Sequence, residues 1–326
     1  MSLQIVNLRK DHLERAAELV AQRYQALRKE VPALPKQYGD GAVLQPMLER
    51  IIKAGPGVAA LEDDRLVGFL AAFEIPAFRG FPAVFSPEWA NGAPLDDSAR
   101  IYRALYTELA RQWVKRGRSV HLISTFANDR QALKEWHWLG FGTIVADAVR
   151  DLDKLQVPAT EEQAVHIRRA TVDDLAAVQR LERALVEHLA ASPVYLVGHE
   201  PETRETWISQ LEDPAHAVWL AFRDGEAVAY LMSCPASDDA STIIRDAKTT
   251  SITGAFTEPF ARGAGIATSL LDRALAWARE AGYARCAVDF ETMNPPARLF
   301  WLRHFTPVTY SVERHIDRRA IPKASE

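Results

Sequence analysis

A glycine-bearing turn in the second half of the chain has the composition of an anion-binding site. The run TTSITGAFTEP is typical of a strand that ends at Pro259, and a turn containing Arg262, Gly263 and Gly265 connects it to the helical pattern TSLLDRALAWAREAG. The first N–H groups of a helix have no partner inside the helix, and the helix dipole places partial positive charge there. Glycine lets the backbone approach a ligand, and arginine can bind phosphate oxygens in pairs. The spacing therefore predicts a pyrophosphate-binding turn.

Other phosphate-binding motifs fit this turn less well. The dinucleotide-binding pattern GxGxxG requires a third glycine, and Thr268 stands in its place. A P-loop requires Gly-Lys-Ser/Thr, which this turn lacks. The remaining alternative is a turn that merely connects a strand to a helix.

A second motif follows the turn after one predicted helix and one predicted strand. It has the form Asn294-x-x-Ala297, then Phe300-Trp301, then Phe305. This motif and the run Pro259-x-x-Arg262-Gly263-x-Gly265-Ile266-Ala267 together resemble the two motifs of the GCN5-related N-acetyltransferases, the GNAT family. The resemblance covers most of residues 165–318. Over residues 1–155 it extends only to the order and pattern of the elements.

The resemblance implies an α/β fold with a mixed sheet, and acetyl-coenzyme A (acetyl-CoA) as the cofactor. Backbone amides of residues 262–268 would hold its pyrophosphate. The strand before the turn would splay from its neighbour, so that backbone groups of Phe256 and Thr257 meet the pantetheine and polarise the thioester carbonyl. Asn294 would contact the pantetheine or order the following loop. The cofactor-binding set implied in this way is Phe256, Thr257, Arg262, Gly263, Ala264, Gly265, Ile266, Ala267, Thr268 and Asn294.

Acetyl transfer to an amine also needs a base for the amine proton and a proton for the departing thiolate. Asp289 and Glu291 share one face of the strand-like run CAVDFET, and Glu258 lies beside the end of the cofactor strand. These carboxylates are the candidate bases, through water. The family commonly has a tyrosine as acid at the position of Trp301, which has no proton of suitable acidity. Tyr310 and water are the candidates for that role. For each of these side chains the alternative to a catalytic role is a structural one, as a solvated, ion-paired or strand-packing group.

The elements that must position these residues recur in both halves of the chain. Each half begins with a strand-like run and an Asp suited to capping a helix, followed later by a β-hairpin with an acidic turn. Next come a helix that ends at Gly117 or Gly282, a strand, and the second-motif helix. This order predicts two tandem GNAT-like domains. The alternative is one large α/β domain with coincidental patterning.

The first half is predicted to be a degenerate copy. The expected organisation is a degenerate GNAT-like domain at residues 1–155, a polar linker at 156–164 and a cofactor-binding GNAT domain at 165–326. Where the pyrophosphate turn would lie, Asp96 and Asp97 precede a helix. Carboxylates suit a helix start but would repel a pyrophosphate. The first half would instead pack against the second and wall the acceptor cleft, with the aromatic stretch 73–89 serving as core packing or as a ligand contact.

Composition excludes several other classes of function. The 39 basic and 43 acidic residues give a formal net charge of -4, which calls for neither nucleic acid nor anionic membrane as a partner. The two cysteines, Cys234 and Cys286, lie in apolar stretches without Cys/His spacing, so neither a disulfide framework nor a metal site is expected. Without a signal-like N-terminus or a long apolar run, a cytoplasmic location is expected. The sequence leaves the oligomeric state open.

These features predict a transferase: an acetyl-CoA-dependent N-acetyltransferase that moves an acetyl group to an amine of a small-molecule acceptor by direct attack. One alternative is a non-catalytic acyl-CoA sensor or scaffold, indicated by Trp301 at the usual acid position. Another is a tandem acetyltransferase resembling mycothiol synthase, with activity in the second domain. The acceptor is not identified by the sequence. His188, His199 and Arg204 lie in the segment expected to line the acceptor side.

Overall fold

The computed structural model describes residues 3–153, 165–236 and 240–322. The expected linker, residues 156–164, lies outside the described residues. The chain forms two compact units that are not consecutive in sequence. The described residues of the first unit are 3–147, 241–243 and 307–322, and those of the second are 148–153, 165–236, 240 and 244–306.

Apart from one β-hairpin that only the first half contains, the same order of α-helices and β-strands occurs twice in the described residues. The elements of residues 3–153 are β1 (Gln4–Asn7), α1 (Leu13–Glu30), α2 (Gly41–Ala54), β2 (Gly57–Glu62), β3 (Arg65–Ala71), β4 (Phe73–Phe78), β5 (Phe81–Ser86), β6 (Asn91–Gly92), α3 (Ser98–Lys115), β7 (Val120–Phe126), α4 (Arg130–Trp138) and β8 (Gly142–Asp151). The elements of residues 165–322 are β9 (His166–Arg169), α5 (Leu175–Ala190), α6 (Arg204–Glu212), β10 (Ala217–Arg223), β11 (Glu226–Pro235), β12 (Thr249–Thr257), α7 (Ile266–Glu280), β13 (Arg285–Glu291), α8 (Pro295–His304) and β14 (Thr306–His315). The predicted α/β fold with mixed sheets and a repeated element order is confirmed.

The helix that follows the glycine turn shows how the sequence produces these elements. Its buried residues include Ile266, Leu270, Ala274 and Ala278, which recur every four positions and so form one apolar stripe. The helix ends before Gly282, whose φ of 90° is in the left-handed region. Glycine reaches that conformation without a Cβ penalty, which makes it a favourable residue to end a helix.

Within the second unit, five strands lie in the order β13-β12-β11-β10-β9. Strands β12 and β13 are parallel, and the other neighbouring pairs are antiparallel. Helices α5 and α6 cover one face, and their buried residues form a core with β10, β11 and β12 that includes Leu181, Trp207, Tyr230 and Phe256. This core therefore holds β12, the strand that leads into the glycine turn.

Within the first unit, β1-β2-β3-β6 form one sheet and β4-β5-β7-β14 lie side by side in another. The aromatic stretch 73–89 forms the hairpin of β4 and β5, and the rings of Phe73 and Trp89 pack at 5.9 Å. The core of this unit includes Trp113 and Trp136. None of the described helices is long and apolar enough to cross a bilayer.

The compact units differ from the expected consecutive halves in the last strand. β14 pairs antiparallel with β7, from Thr309 opposite Phe126 to His315 opposite Val120. The pairing gives β14 a partner for its backbone groups and buries Val308 and Val312. Residues 307–322 thus belong to the first unit, although they follow the second-half motif in sequence. β8 begins in the first unit and ends in the second.

Candidate functional site

The glycine turn has the backbone shape that its sequence predicts. Gly263 and Gly265 have φ values of 81° and 76°, both in the left-handed region, and α7 begins at Ile266 directly after them. A Cβ at either glycine would meet no atom within 4 Å, so conformation rather than crowding requires glycine there. The unpaired N–H groups at the start of α7 therefore lie next to open space, where an anion can bind.

Arg262, the predicted phosphate contact, also makes two contacts within the protein. Its Nε donates a hydrogen bond to the carbonyl oxygen of Thr257 at 2.9 Å. Its guanidinium carbon lies 5.6 Å from the centre of the Phe256 ring, a cation–π distance. The side chain thus fastens the turn to the end of β12, and its two terminal nitrogens are left to face an anion.

The strand before the turn splays from its neighbour, as the resemblance implies. The parallel register of β12 with β13 runs from Thr249 opposite Arg285 to Ile252 opposite Val288, whereas β12 itself continues to Thr257. On its other edge β12 stays paired with β11 as far as Thr257. A gap therefore opens on the β13 side of the last residues of β12.

The backbone groups that face this gap can be assigned from the strand pairing. Glu258 N–H donates to the carbonyl of Val228, and pairs in an antiparallel ladder alternate between hydrogen-bonded and non-hydrogen-bonded. The register then directs the N–H and C=O of Phe256 toward Tyr230. Those of Ala255 and Thr257 point into the gap. Ala255 is thus a backbone contact that the sequence did not identify, while Phe256 contributes its ring.

Asn294 is a buried polar side chain directed at the same space. It occupies the N-cap position of α8 and is 6% exposed. Its Oδ1 is buried without a hydrogen-bond partner among the described residues. An unpaired buried acceptor costs free energy, and an N–H donor from a ligand would relieve that cost.

These features surround one cavity of about 420 Å³ in the second unit. Most of the residues implied by the resemblance line it, namely Phe256, Thr257, Arg262, Gly263, Gly265, Ile266, Ala267, Thr268 and Asn294. Ala264 is exposed in the turn and is not among the lining residues. The structure therefore brings the two sequence motifs together around a single space.

The predicted acid and base residues lie elsewhere. None of Glu258, Asp289 and Glu291 lines the cavity. Glu258 instead forms an ion pair of 2.7 Å with Arg180. Tyr310 lies on β14, in the first unit, where burial raises its pKa. The structure thus gathers the cofactor-binding residues but does not gather these four with them.

Two proton-exchanging side chains outside the predicted acid and base set line the cavity. His188 lies in the segment that the sequence expected on the acceptor side, whereas Tyr230 was not identified from the sequence. His188 comes from the last turn of α5, and Tyr230 comes from β11. Burial, then the charge of Glu182, raises the pKa of Tyr230, so its hydroxyl stays protonated at neutral pH. Glu182 is itself held by the indole N–H of Trp207 at 2.6 Å. Helical spacing was the available signal for His188, because it follows Leu185 by one turn and Leu185 also lines the cavity.

Three further residues of α8 face the cavity. Phe300, Trp301 and Arg303 line it, and Trp301 is 6% exposed. The rings of Phe300 and Trp301 lie 4.8 Å apart, nearly perpendicular at 72°. The position at which the family commonly has a tyrosine therefore reaches the site, although its side chain here carries no acidic proton.

Comparisons with solved structures show similar folds. A GCN5-related N-acetyltransferase from Sphaerobacter thermophilus is 15% identical, with 98% of this chain and 96% of that chain covered and a TM-score of 0.56. The glucosamine N-acetyltransferase region of a fungal multi-domain GH3 β-N-acetylglucosaminidase is 13% identical at a TM-score of 0.51, with 96% of this chain but only 38% of that one covered. A tandem GNAT protein of the clavulanic acid biosynthesis pathway is 15% identical at a TM-score of 0.45, with 99% and 100% covered. At these identities the likeness to the first two structures concerns the fold alone.

Comparison with curated proteins finds no significant match. A family model does match the part of the chain that contains the turn, the gap beside β12 and Asn294. The model is that of the acetyltransferase (GNAT) family, and it matches residues 182–305. The resemblance drawn from the two motifs is thereby confirmed, and residues 182–305 form a domain of the GNAT family.

Proposed function

We propose that the second unit binds acetyl-CoA and that the chain transfers the acetyl group to an amine of a small-molecule acceptor. The observation that carries this proposal is the single cavity that joins a helix N-terminus, a strand gap and the unpaired Oδ1 of Asn294. A pyrophosphate suits the first of these features and a chain bearing amide groups suits the other two. Acetyl-CoA contains both groups.

The residues present fit that cofactor. The N–H groups after Gly265 and the terminal nitrogens of Arg262 would hold the pyrophosphate, because both present positive charge. The backbone of Ala255 would bond an amide of the pantetheine arm as a further strand would, and Asn294 Oδ1 would accept from another. When bound, acetyl-CoA supplies an acetyl group activated as a thioester.

The protein's own groups would assist transfer by position and by charge. Backbone N–H groups on the gap side of β12 can stabilise negative charge on a carbonyl oxygen, and their fixed direction avoids reorganisation during the reaction. The apolar walls formed by Leu185, Leu231 and Leu270 reduce the access of water, which favours attack by an amine over hydrolysis. No covalent bond to the enzyme is needed, because the amine attacks the thioester directly.

A second candidate is an acyl-CoA sensor or scaffold that binds without turnover. Two observations favour it: Trp301 occupies the expected acid position, and none of Glu258, Asp289 and Glu291 lines the cavity. The other alternative, a tandem acetyltransferase resembling mycothiol synthase, is a special case of the first proposal that differs only in the acceptor.

Binding and turnover separate these candidates. Calorimetric titration with acetyl-CoA measures binding, and release of free thiol with a panel of aryl, alkyl, amino-sugar and amino-acid amines measures transfer. Arg262→Glu places a carboxylate at the turn and is expected to weaken acetyl-CoA binding by about tenfold or more. Arg273→Glu is the matched control, because Arg273 is exposed on α7 and does not line the cavity.

The outcomes are distinct. Thiol release that depends on an amine supports the transferase. Tight binding of acetyl-CoA with no release across the whole panel overturns the transferase and supports the sensor. Absence of binding by the wild-type protein overturns both.

A further inference from the structure

Proton transfer is the part of the reaction for which the site lacks the expected residues. An amine that attacks a thioester loses a proton, and a base positioned near the nitrogen accelerates that step. No carboxylate is found among the described residues that line the cavity. The titratable and charged side chains that do line it are His188, Tyr230, Arg262 and Arg303.

Of these four, only His188 can accept a proton at neutral pH. Arginine stays charged, and Tyr230 is held protonated by its raised pKa. Imidazole is the side chain that serves most often as a general base in proteins, because its neutral form carries a ring nitrogen that can accept a proton. The cavity thus contains one group with the required chemistry.

The position of His188 also suits this role. Its ring lies 6.2 Å from the ring of Phe256, at the end of β12 where the gap opens. The ring is partly buried, and neither of its nitrogens has a hydrogen-bond partner among the described residues. Both nitrogens are therefore available to a ligand, unlike those of His216, whose Nδ1 lies 2.9 Å from an Asp213 oxygen.

Charged groups of both signs lie near His188. It lies in the last turn of α5, near the negative end of the helix dipole, and its neighbour Glu187 on α5 is exposed. The guanidinium groups of Arg262 and Arg303 line the same cavity.

We propose that His188 is the general base of the second unit, a role that rests on the proposed acetyl transfer. The acceptor nitrogen attacks the carbonyl carbon, the C–N bond forms, and the proton leaves the nitrogen for a ring nitrogen of His188. The C–S bond breaks with its electron pair on the sulfur, which departs as a thiolate. The imidazolium then returns its proton to solvent. Atoms and charges balance without a further reactant.

The first test compares pH profiles of kcat/KM for the wild type and for His188→Gln. The acceptor is an aromatic amine or hydrazine that stays uncharged over the range, so that its own titration does not enter. We expect the kcat/KM of the wild type to fall as the pH is lowered. For His188→Gln, kcat/KM should no longer fall at low pH, and at neutral pH it should be about a hundredfold below that of the wild type. The thermal unfolding midpoint of His188→Gln should stay close to that of the wild type, which shows that the variant is folded. His199→Gln is the control, because His199 is exposed and does not line the cavity.

The second test does not depend on turnover. Diethyl pyrocarbonate modifies neutral imidazoles, and mass spectrometry gives the rate at each histidine. Coenzyme A should slow modification of His188 several-fold and leave that of His199 unchanged. Modification of His188 at the same rate with and without coenzyme A would overturn the placement.

If His188→Gln has the same kcat/KM as the wild type, or the same fall in kcat/KM at low pH, His188 is not the base. That result would not contradict the proposed acetyl transfer. Failure of the wild-type protein to bind acetyl-CoA overturns the proposed function as well. The two proposals therefore fail in different ways.

Discussion

The cavity of the second unit and the corresponding region of the first unit are built from equivalent positions on equivalent elements. The region is open in the second unit and filled by side chains in the first. Four positions that line the cavity carry small, apolar or uncharged side chains. Their counterparts in the first unit are larger or charged. Each counterpart is the residue at the same position counted from the start or end of a helix, at the same helix cap, or at the same strand register. The pairs are Leu185 and Arg23, Ala255 and Asn91, Ala267 and Tyr102, and Asn294 and Asp129.

In the first unit these four side chains bond to one another. Arg23 donates to the carboxylate of Asp129 at 2.9 Å and also to the hydroxyl of Tyr102. The Tyr102 hydroxyl in turn donates to Asn91 Oδ1 at 3.0 Å. Arg23 is 3% exposed and Asp129 is 1% exposed. A connected, buried network thus occupies the position where the second unit has a cavity.

The network also closes the strand gap. Asn91 lies on β6, which pairs with β3, and its Nδ2 donates to the carbonyl of Ser124 on β7 at 2.9 Å. A side chain of the protein therefore makes a bond across the gap of the first unit, where the second unit offers its backbone to a ligand.

The helix start differs as well. Counted from its last residue, α3 begins three residues earlier than α7, so residues 98–100 are helical where the second unit has the left-handed turn of Gly263 and Gly265. Asp97, one of the two acidic residues expected to repel a pyrophosphate, accepts a hydrogen bond from Arg100 Nε at 3.0 Å. The difference between the two units is therefore one of filling: side chains of the protein bond to one another in the first unit at the positions that line a cavity in the second.

The largest expected effect tests the network itself. Arg23→Leu copies Leu185 and leaves the Asp129 carboxylate buried without its cation, which should lower the free energy of unfolding by about 3–5 kcal/mol. Urea denaturation measures this change. The double variant Arg23→Leu with Asp129→Asn removes both charges and should recover part of the loss. A single variant within about 1 kcal/mol of wild type would contradict a buried ion pair.

The converse change should close the second unit. Ala267→Tyr places the counterpart of Tyr102 in the cavity, and we expect the affinity for acetyl-CoA to fall about a hundredfold or more, roughly 2.8 kcal/mol. Calorimetry gives the dissociation constant. Arg273→Tyr adds the same ring to the exposed face of α7 and should bind as wild type does. Equal affinities of the two variants would show that the cavity is not where the cofactor binds.

Two glycines that flank α7 allow the effect of backbone conformation on stability to be measured separately from the effect on acetyl-CoA binding. Gly265 and Gly282 both have positive φ, and a Cβ at either would meet nothing within 4 Å. Each change to Ala should therefore cost about 1 kcal/mol of stability through backbone strain. Only Gly265→Ala should also weaken acetyl-CoA binding, by several-fold, because only Gly265 lines the cavity. Weaker binding in both variants would point to general destabilisation.

The smallest expected effect concerns the buried carboxyl group of Glu88 in the first unit. Glu88 is 3% exposed, and burial raises its pKa above the ordinary value of 4.5. The folded state then holds a proton that the unfolded state has released, so stability falls as pH rises from about 4.5 through the raised pKa. Glu88→Gln should lessen this fall while its Oε1 can still accept from the Ile243 N–H, which lies 3.1 Å from Glu88 Oε1. Melting temperatures at pH 4 and pH 8 measure the difference, and an unchanged difference in the variant would contradict it.

Local patterns accounted for most of the fold and for the cofactor part of the site. Glycines at positive φ, capping residues and apolar spacing act over a few residues, so the turn at Gly263 and Gly265 and the helix after it could be predicted. The acid and base residues could not, because their role depends on which side chains reach one cavity. Asp289 and Glu291 share a strand face as predicted, yet that face does not line it.

The sequence by itself determined that residues 182–305 carry the two GNAT motifs, that the element order repeats, and that the glycine turn precedes a helix. The last two properties follow from backbone preference and periodicity, and the first rests on the resemblance of the two motifs to those of the family. Tertiary structure alone decided that β14 pairs with β7, that Arg23 meets Asp129 across more than a hundred residues of sequence, and that Tyr230 faces the cavity. Each of these depends on packing between distant segments, which no local pattern specifies.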